Sequence, residues 1–206
     1  LEIFEKGQPL SSLVEAKHGM TTTDNKRFLR QWFELEYSRI NFTEDSEMGA
    51  LRSGAKWFPY NKGGAYRKWY GNYDYVVNFA ENGREIKANA LKRYPYLKTP
   101  GIIVPNSNYY FREAITWSDI TSGSFSMRLR VSGSIFGTVG LQAFPRTSHD
   151  DIYSIMAFGN SKVFNYLLDA INPTLHAVIG NVNVIPTLTI PSSLKSIVHE
   201  KSKQNV

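Results

Sequence analysis

The sequence predicts a mixed α/β (α+β) domain, and three observations carry that prediction. The centre of the chain holds the β-rich runs GIIVPN, YYFREAITWSDI, SFSMRLRV and SIFGTVGLQAF, separated by Gly, Ser, Asn and Pro. Helical stretches flank them, NGREIKANALKRY before and DDIYSIMAFGNSKVFNYLLDAINP after. The 206 residues, 42% hydrophobic and 20% charged, suffice for one substantial domain or two small ones and argue against wholesale disorder.

In chain order, Leu10–Lys17 reads as a short helix or strand entering a turn at Gly19. The polar TTTDN loop then caps a following turn. Phe28, Trp32 and Phe33 fit a helix, whereas Trp32, Leu35 and Ile40 fit strands, and the residues leave that choice open. YDYVVNF, from Tyr73 to Phe79, is a strand, and the helix after it opens at Asn82 or Gly83. Between Ser124 and Val131, Phe125, Met127, Leu129 and Val131 alternate with Ser126, Arg128 and Arg130. That alternation predicts a half-buried strand with two arginines on its polar face. The helical stretch after Ser148 breaks near Gly159, restarts on a cap at Asn160 or Ser161 and ends before Pro173. IGNVNVIPTLTIPSS is an extended, Pro-marked segment, and a last helix carries Leu194 and Ile197 on one side. The missing initiator Met and the late helix predict a segment of a longer chain, divided into a domain over 1–192 and the start of a helix over 193–206.

The chain has no cysteine, which excludes disulfide scaffolds, zinc ribbons and thiol nucleophiles and is compatible with a cytoplasmic location. No apolar run reaches the roughly 20 residues of a membrane span, so no membrane partner is expected. The formal charge of +6 and the pI of about 9.4 favour polyanionic partners.

The distribution of that charge is more informative. KWFPYNKGGAYRKWYGN, from Lys56 to Asn72, holds four cations, six aromatic rings and no carboxylate, and the acid-free run extends from Met48 to Tyr73. Its pattern has neither helix nor strand periodicity. Such a stretch needs an unusual core or an unusual partner: either the rings are core and the lysines merely solvated, or the cations meet phosphates. A second cluster, Thr21–Trp32, carries Thr21, Asn25, Lys26, Arg27, Arg30 and Gln31. Both have the composition of nucleic-acid contacts, Lys and Arg for phosphates and Asn, Gln and Arg for base edges.

Catalytic patterns are missing. His18, His149, His176 and His199 are scattered without an HExxH-type neighbour and read as surface or capping residues. Neither a G-x-S-x-G elbow nor a Walker-type loop occurs. Lys62-Gly63-Gly64 is a turn beside a cation that has the form of a small phosphate cradle. Asp150-Asp151 reads as a helix cap rather than a metal-ligand pair. Asn172-Pro173 starts like the Asn-Pro-Pro-Tyr of adenine methyltransferases, but Thr174 and Leu175 break the match. Binding is therefore the expected role; an intact enzyme would need a site assembled from scattered residues.

TTTDNKRFLRQWFEL, KWFPYNKGGAYRKWYGN and YYFREAITWS resemble the target-recognition region of adenine-specific DNA methyltransferases of the phage-exclusion (BREX) type. That family's pattern runs Gly-x-x-Thr-Gly-Asp-Asn-x-x-Phe-x-Arg-x-Trp, then Lys-Trp-x-Pro-Tyr-x-Lys-Gly-Gly and Arg-x-Trp-Tyr-Gly-Asn. Gly19, Thr22, Asp24, Asn25, Phe28, Arg30 and Trp32 match the first block, with Thr23 in place of its usual glycine. Lys56, Trp57, Pro59, Tyr60, Lys62, Gly63, Gly64, Arg67, Trp69, Tyr70, Gly71 and Asn72 match the second. The tail resembles the ending of recognition domains in restriction–modification systems, where Asn160, Ser161 and Asn172 are structural.

The resemblance implies a twisted β-sheet with peripheral helices and a domain that reads double-stranded DNA. The S-adenosylmethionine site and the Asn-Pro-Pro-Tyr are expected in a separate catalytic domain of the parent chain, leaving this segment non-catalytic and without its own cofactor. The expected DNA-binding residues are Thr22, Asn25, Lys26, Arg27, Arg30, Lys56, Lys62, Gly63, Gly64, Arg67, Lys68, Arg128 and Arg130. The alternative is a protein–protein assembly module that docks onto other subunits of a defence complex, with exposed Trp57 and Tyr70 as its anchors.

Overall fold

The computed structural model describes residues 2–120, 123–147, 151–187 and 189–206. The expected mixed α/β character is present, and the strands divide between two four-stranded sheets. The first orders β1 (Val14–Lys17), β8 (Gly140–Pro145), β5 (Ala114–Ser118) and β6 (Arg128–Arg130), all antiparallel. The second orders β2 (Leu29–Gln31), β4 (Tyr75–Asn78), β3 (Trp57–Asn61) and β7 (Ile135–Phe136); only its β3–β7 pair is parallel. SIFGTVGLQAF thus breaks at its glycines, so that β7 and β8 join different sheets.

The first sheet is buried on both faces. Ile115, Trp117, Leu141 and Ala143 pack against α5 (Ile152–Gly159), α6 (Lys162–Ile171) and α7 (Ile179–Asn183). Ala114 and Phe144 point the other way, into a second core shared with Phe58, Tyr60 and Val77 of the second sheet and Ile86 and Ala90 of α4 (Ala80–Arg93). Burial on both faces covers all five residues of AITWS, Thr116 and Ser118 included. On the far face of the second sheet Trp57 and Val76 meet Ile40 in a small third cluster.

Both readings of Leu10–Lys17 apply, because a 3-10 turn at Leu10–Ser12 precedes β1. The ambiguous run after it is likewise mixed, with α2 (Asn25–Phe28) passing directly into β2. The break after α5 falls as expected, and Ser161 caps α6 by accepting the Phe164 amide at 3.1 Å. In α4 the regular helix starts after Gly83, since Glu81, Asn82 and Gly83 all have positive φ. A Cβ at Gly83 would stand 2.7 Å from the Phe79 ring. α8 (Ser192–Gln204) packs on α5, with Leu194 and Ile197 exposed.

Three expectations need correction. GIIVPN is not strand: Pro100 starts a 3-10 turn at Pro100–Ile102. IGNVNVIPTLTIPSS is not extended throughout, because its first residues form α7. Arg128 and Arg130 alternate as expected but do not face solvent, being 1% and 0% exposed. Their row is the face of the first sheet turned toward the second core, so the polar side of the strand lies inside the protein.

Candidate nucleic-acid interface

The Lys56–Asn72 stretch contributes to core and surface at once. Trp57, Phe58 and Tyr60 are buried in the second sheet, Trp69 is half-buried, and Tyr66 and Tyr70 are exposed. Lys56, Arg67 and Lys68 reach the surface and Lys62 is partly covered. After β3 the chain turns at Gly63-Gly64 and runs along the edge of β6, where the Trp69 amide donates to Met127 O and Trp69 O accepts from Leu129 N. Tyr73 continues this joint: its hydroxyl donates to Leu129 O and accepts from Val131 N, and burial pushes it up to about 12.

The glycine turn is an internal joint rather than a free phosphate cradle. Gly63 and Gly64 have φ of 78° and 140°, and a Cβ on either would stand 3.0 Å from Val139 O or the Asn72 amide. The Gly63 N–H is already accepted by Asn61 Oδ1 at 3.0 Å, and Gly64 O accepts the Ser118 hydroxyl at 2.9 Å. The close approach that requires glycine here is made by the protein itself.

The two basic clusters meet at Trp57. The Arg30 guanidinium, on β2, lies 5.8 Å from the Trp57 ring, and the Lys56 ammonium lies 5.8 Å from the same ring. Arg30 also donates to the carbonyls of Lys26 and Leu29 at 2.8 and 2.6 Å, which fixes the stem and leaves further N–H groups on its fork. Lys62 sits 4.7 Å above the Tyr75 ring on the neighbouring strand. Cations seated on ring faces keep their charge while their stems cover apolar surface.

Of the other expected contacts, the Thr22, Arg27 and Lys68 side chains have internal partners. The Thr22 hydroxyl, 3% exposed, donates to Asn25 Oδ1. Arg27 pairs with Glu85 at 3.2 Å on the surface, and Lys26 is exposed on α2. The Arg67 carbonyl accepts from Arg128 at 3.2 Å. Lys68 donates to Asn160 O at 2.9 Å, where a cation meets the carbonyl end of α5.

Arg128 and Arg130 act as internal props. Arg128 donates to Arg67 O and, at 3.1 Å, to Ser118 Oγ. Arg130 donates to the carbonyls of Ser134 and Arg112 and stacks 5.0 Å from Phe136. Burial pulls their acidities to about 10 and about 9. A guanidinium spent on backbone carbonyls cannot also reach a groove, so both leave the set of candidate contacts.

Thr23 has φ of 62°, in the left-handed region that favours glycine. That is an outlier for a β-branched residue. Asn89 Nδ2 donates to its hydroxyl at 2.8 Å and Arg93 to its carbonyl at 2.6 Å, so α4 holds the loop in place.

An aromatic cleft beside this surface went unread in the sequence. Trp32, Tyr37, Phe42, Pro59, Tyr70 and Tyr73 are among the residues lining a cavity of about 350 Å³. The signal was there in EYSRINF, where two rings bracket a cation.

The described members of the candidate metal and catalytic patterns are engaged in other pairings. Asp151 caps α5 through the amides of Tyr153 and Ser154 and pairs with His199 at 3.0 Å; Asp150 and His149 lie outside the described residues. His176 pairs with Asp119 at 3.3 Å. Among the described residues no group of three or more His, Cys, Asp or Glu converges on a metal position. Asn172 donates to His176 O at 2.8 Å and accepts the Thr174 hydroxyl, closing the turn after α6. No helix among the described residues is long and apolar enough to cross a membrane.

The chain is homologous to a segment of adenine-specific methyltransferases. It is 37% identical over 177 residues to adenine-specific methyltransferase PglX of Lacticaseibacillus casei (strain Zhang), and 34% identical over 163 residues to adenine-specific methyltransferase BrxX of Escherichia coli O9:H4 (strain HS). These matches take 86% and 78% of this chain but span only 14% and 12% of the two relatives. No family model matches the chain.

Proposed function

We propose that the chain is a DNA target-recognition domain of an adenine-N6 methyltransferase from a phage-exclusion or restriction–modification system. One observation carries this reading: Arg30 and Lys56, from two clusters distant in sequence, flank one indole within an acid-free run. Arg30, Lys56, Lys62, Arg67 and the exposed α2 residues Lys26 and Arg27 neutralise phosphates, and Asn25 reaches toward base edges. S-adenosylmethionine and the methyl-transfer chemistry belong to a catalytic domain elsewhere in the parent chain, in the cytoplasm.

Selection from a random duplex pool at low salt tests the reading. Enrichment of one sequence motif is the expected result, and failure to retain any duplex overturns it.

A second reading, docking onto other parts of the parent or onto defence-complex subunits, is favoured by Val163 and Tyr166 on α6, exposed at 47% and 76%. Trp57, expected as an exposed anchor for such docking, is buried at 7%. Retention of partner subunits after nuclease digestion, with no duplex binding, would favour this second reading.

A further inference from the structure

Tyr37 and Phe42 stack at 4.8 Å with their planes 24° apart, and this pair stands between two clefts. On one side is the aromatic cavity of about 350 Å³, with no charged side chain in its lining. On the other, a cavity of about 630 Å³ runs from the pair to Trp57, and its charged lining residues are Arg39 and Lys56. No carboxylate lines either cavity. The nearby Glu34 carboxylate is turned back onto the Gln31 amide at 2.6 Å.

Exposed rings beside cations suit a ligand with a flat π-face and a negative charge attached to it. Trp32, Tyr37 and Phe42 are 48%, 69% and 38% exposed, an arrangement that leaves aromatic faces open. The aromatic cavity equals a cube about 7 Å on edge, narrower than a helix of about 10 Å. It falls at the small end of the roughly 300–1,000 Å³ of small-ligand sites, room for one ring system. Base–aromatic stacking next to a basic track is how single strands are held without reading their sequence.

We propose that the two clefts together hold one unstacked nucleotide of a DNA strand, its base against Trp32 and the Tyr37–Phe42 stack and its phosphate at Arg39 and Lys56. This rests on the DNA-binding reading and adds to it a contact that a fully stacked duplex does not make.

The test compares three probes with the 206-residue chain: a labelled dodecamer of deoxyadenosine, an abasic dodecamer of equal charge and a blunt duplex. The dodecamer with bases is expected to bind about tenfold or more tightly than the abasic one. Only the strand with bases should quench tryptophan emission, and Trp32→Ala should abolish the quenching, because Trp32 is the exposed indole while Trp69 is half-buried and Trp57 and Trp117 are buried. Trp32→Ala and Tyr37→Ala should each lower binding of that strand about tenfold. Tyr96→Ala, an exposed ring outside the cavity lining, should leave it unchanged.

Equal binding of the two single strands, or a Trp32→Ala variant that binds deoxyadenosine as the parent does, overturns the proposal. If duplex binding persists in that case, the recognition reading survives; if no probe binds at low salt, both fall. Loss of the catalytic portion of the parent from a Trp32→Ala variant that still binds the strand would make the cleft a protein interface, and also overturns the proposal.

Discussion

The guanidinium of Arg30 lies 5.8 Å from the ring of Trp57, although 26 residues separate them in the chain. Pairing of β2 with β4 and of β4 with β3 places Arg30, Val76 and Pro59 in one row across the second sheet. Trp57 begins the same strand as Pro59. The contact therefore follows from strand register, and a slip of one residue would turn Arg30 toward the other face.

Arg128 and Arg130 should behave as structural residues. Arg130→Ala leaves the Arg112 carbonyl without a donor inside the protein, leaves Ser134 O with the Phe111 amide alone and empties a fully buried volume, and is expected to cost about 3 kcal/mol. Urea unfolding measures this. Any fraction of the variant that folds should keep the parent's salt dependence of duplex binding, and a selective loss of that dependence would return Arg130 to the interface.

Asn160 joins α5 to the strand entering β6, its amide accepting from Met127 N and donating to Met127 O, both at 2.9 Å. Asn160→Ala leaves the Met127 N–H unpaired in a buried place, whereas Met127 O keeps the Trp69 amide, and the change is expected to cost about 1–3 kcal/mol. Asn160→Asp keeps the acceptor but loses the donor and should also destabilise. A melting point unchanged in both would refute the clasp.

Thr23 sets strain against hydrogen bonding. Its left-handed backbone costs roughly 1–3 kcal/mol, which glycine would relieve. Glycine also forfeits the Asn89 hydrogen bond and adds chain entropy on unfolding, each about 1 kcal/mol. Thr23→Gly should therefore unfold within about 1 kcal/mol of the parent, whereas Thr23→Val keeps the strain, loses the bond and should cost about 1–2 kcal/mol. Urea midpoints of the pair distinguish these outcomes.

Burial would raise the Asp151 carboxyl, but hydrogen bonds from Ser154, His199 and the Tyr153 amide outweigh it and hold the group below its usual 3.8. The unfolded chain thus takes up the proton first as pH falls, so the contribution is complete above about 4 and fades through the lower folded value. Asp151→Ala should cost about 1–2 kcal/mol at pH 7 through the lost cap. The gap between variant and parent should narrow below pH 4, as denaturant titrations at several pH values would record.

Local chemistry was readable from the sequence. The cap at Ser161, the strand at YVVN and the alternation of SFSMRLRV all follow from neighbours within a few residues. Which side of an alternation meets water was not readable, because β6 lies against a second sheet whose position depends on distant pairings. The same limit hid the role of Gly63-Gly64, whose tight neighbours are Val139 and Asn72. Conversely, the mixture of rings and cations in Lys56–Asn72 was resolved by strand geometry, which buries Trp57 and Phe58 and leaves Lys56 outside. The aromatic cleft draws Trp32, Tyr37, Phe42, Tyr70 and Tyr73 from separate segments, so the EYSRINF window displays only two of its rings.

The most direct test is the salt dependence of duplex binding by an Arg30→Ala/Lys56→Ala double variant. If both cations at Trp57 meet phosphates, the log–log slope should flatten by about 1.8, or 0.9 for each contact. A folded double variant whose slope equals the parent's would contradict the assignment of this surface to DNA.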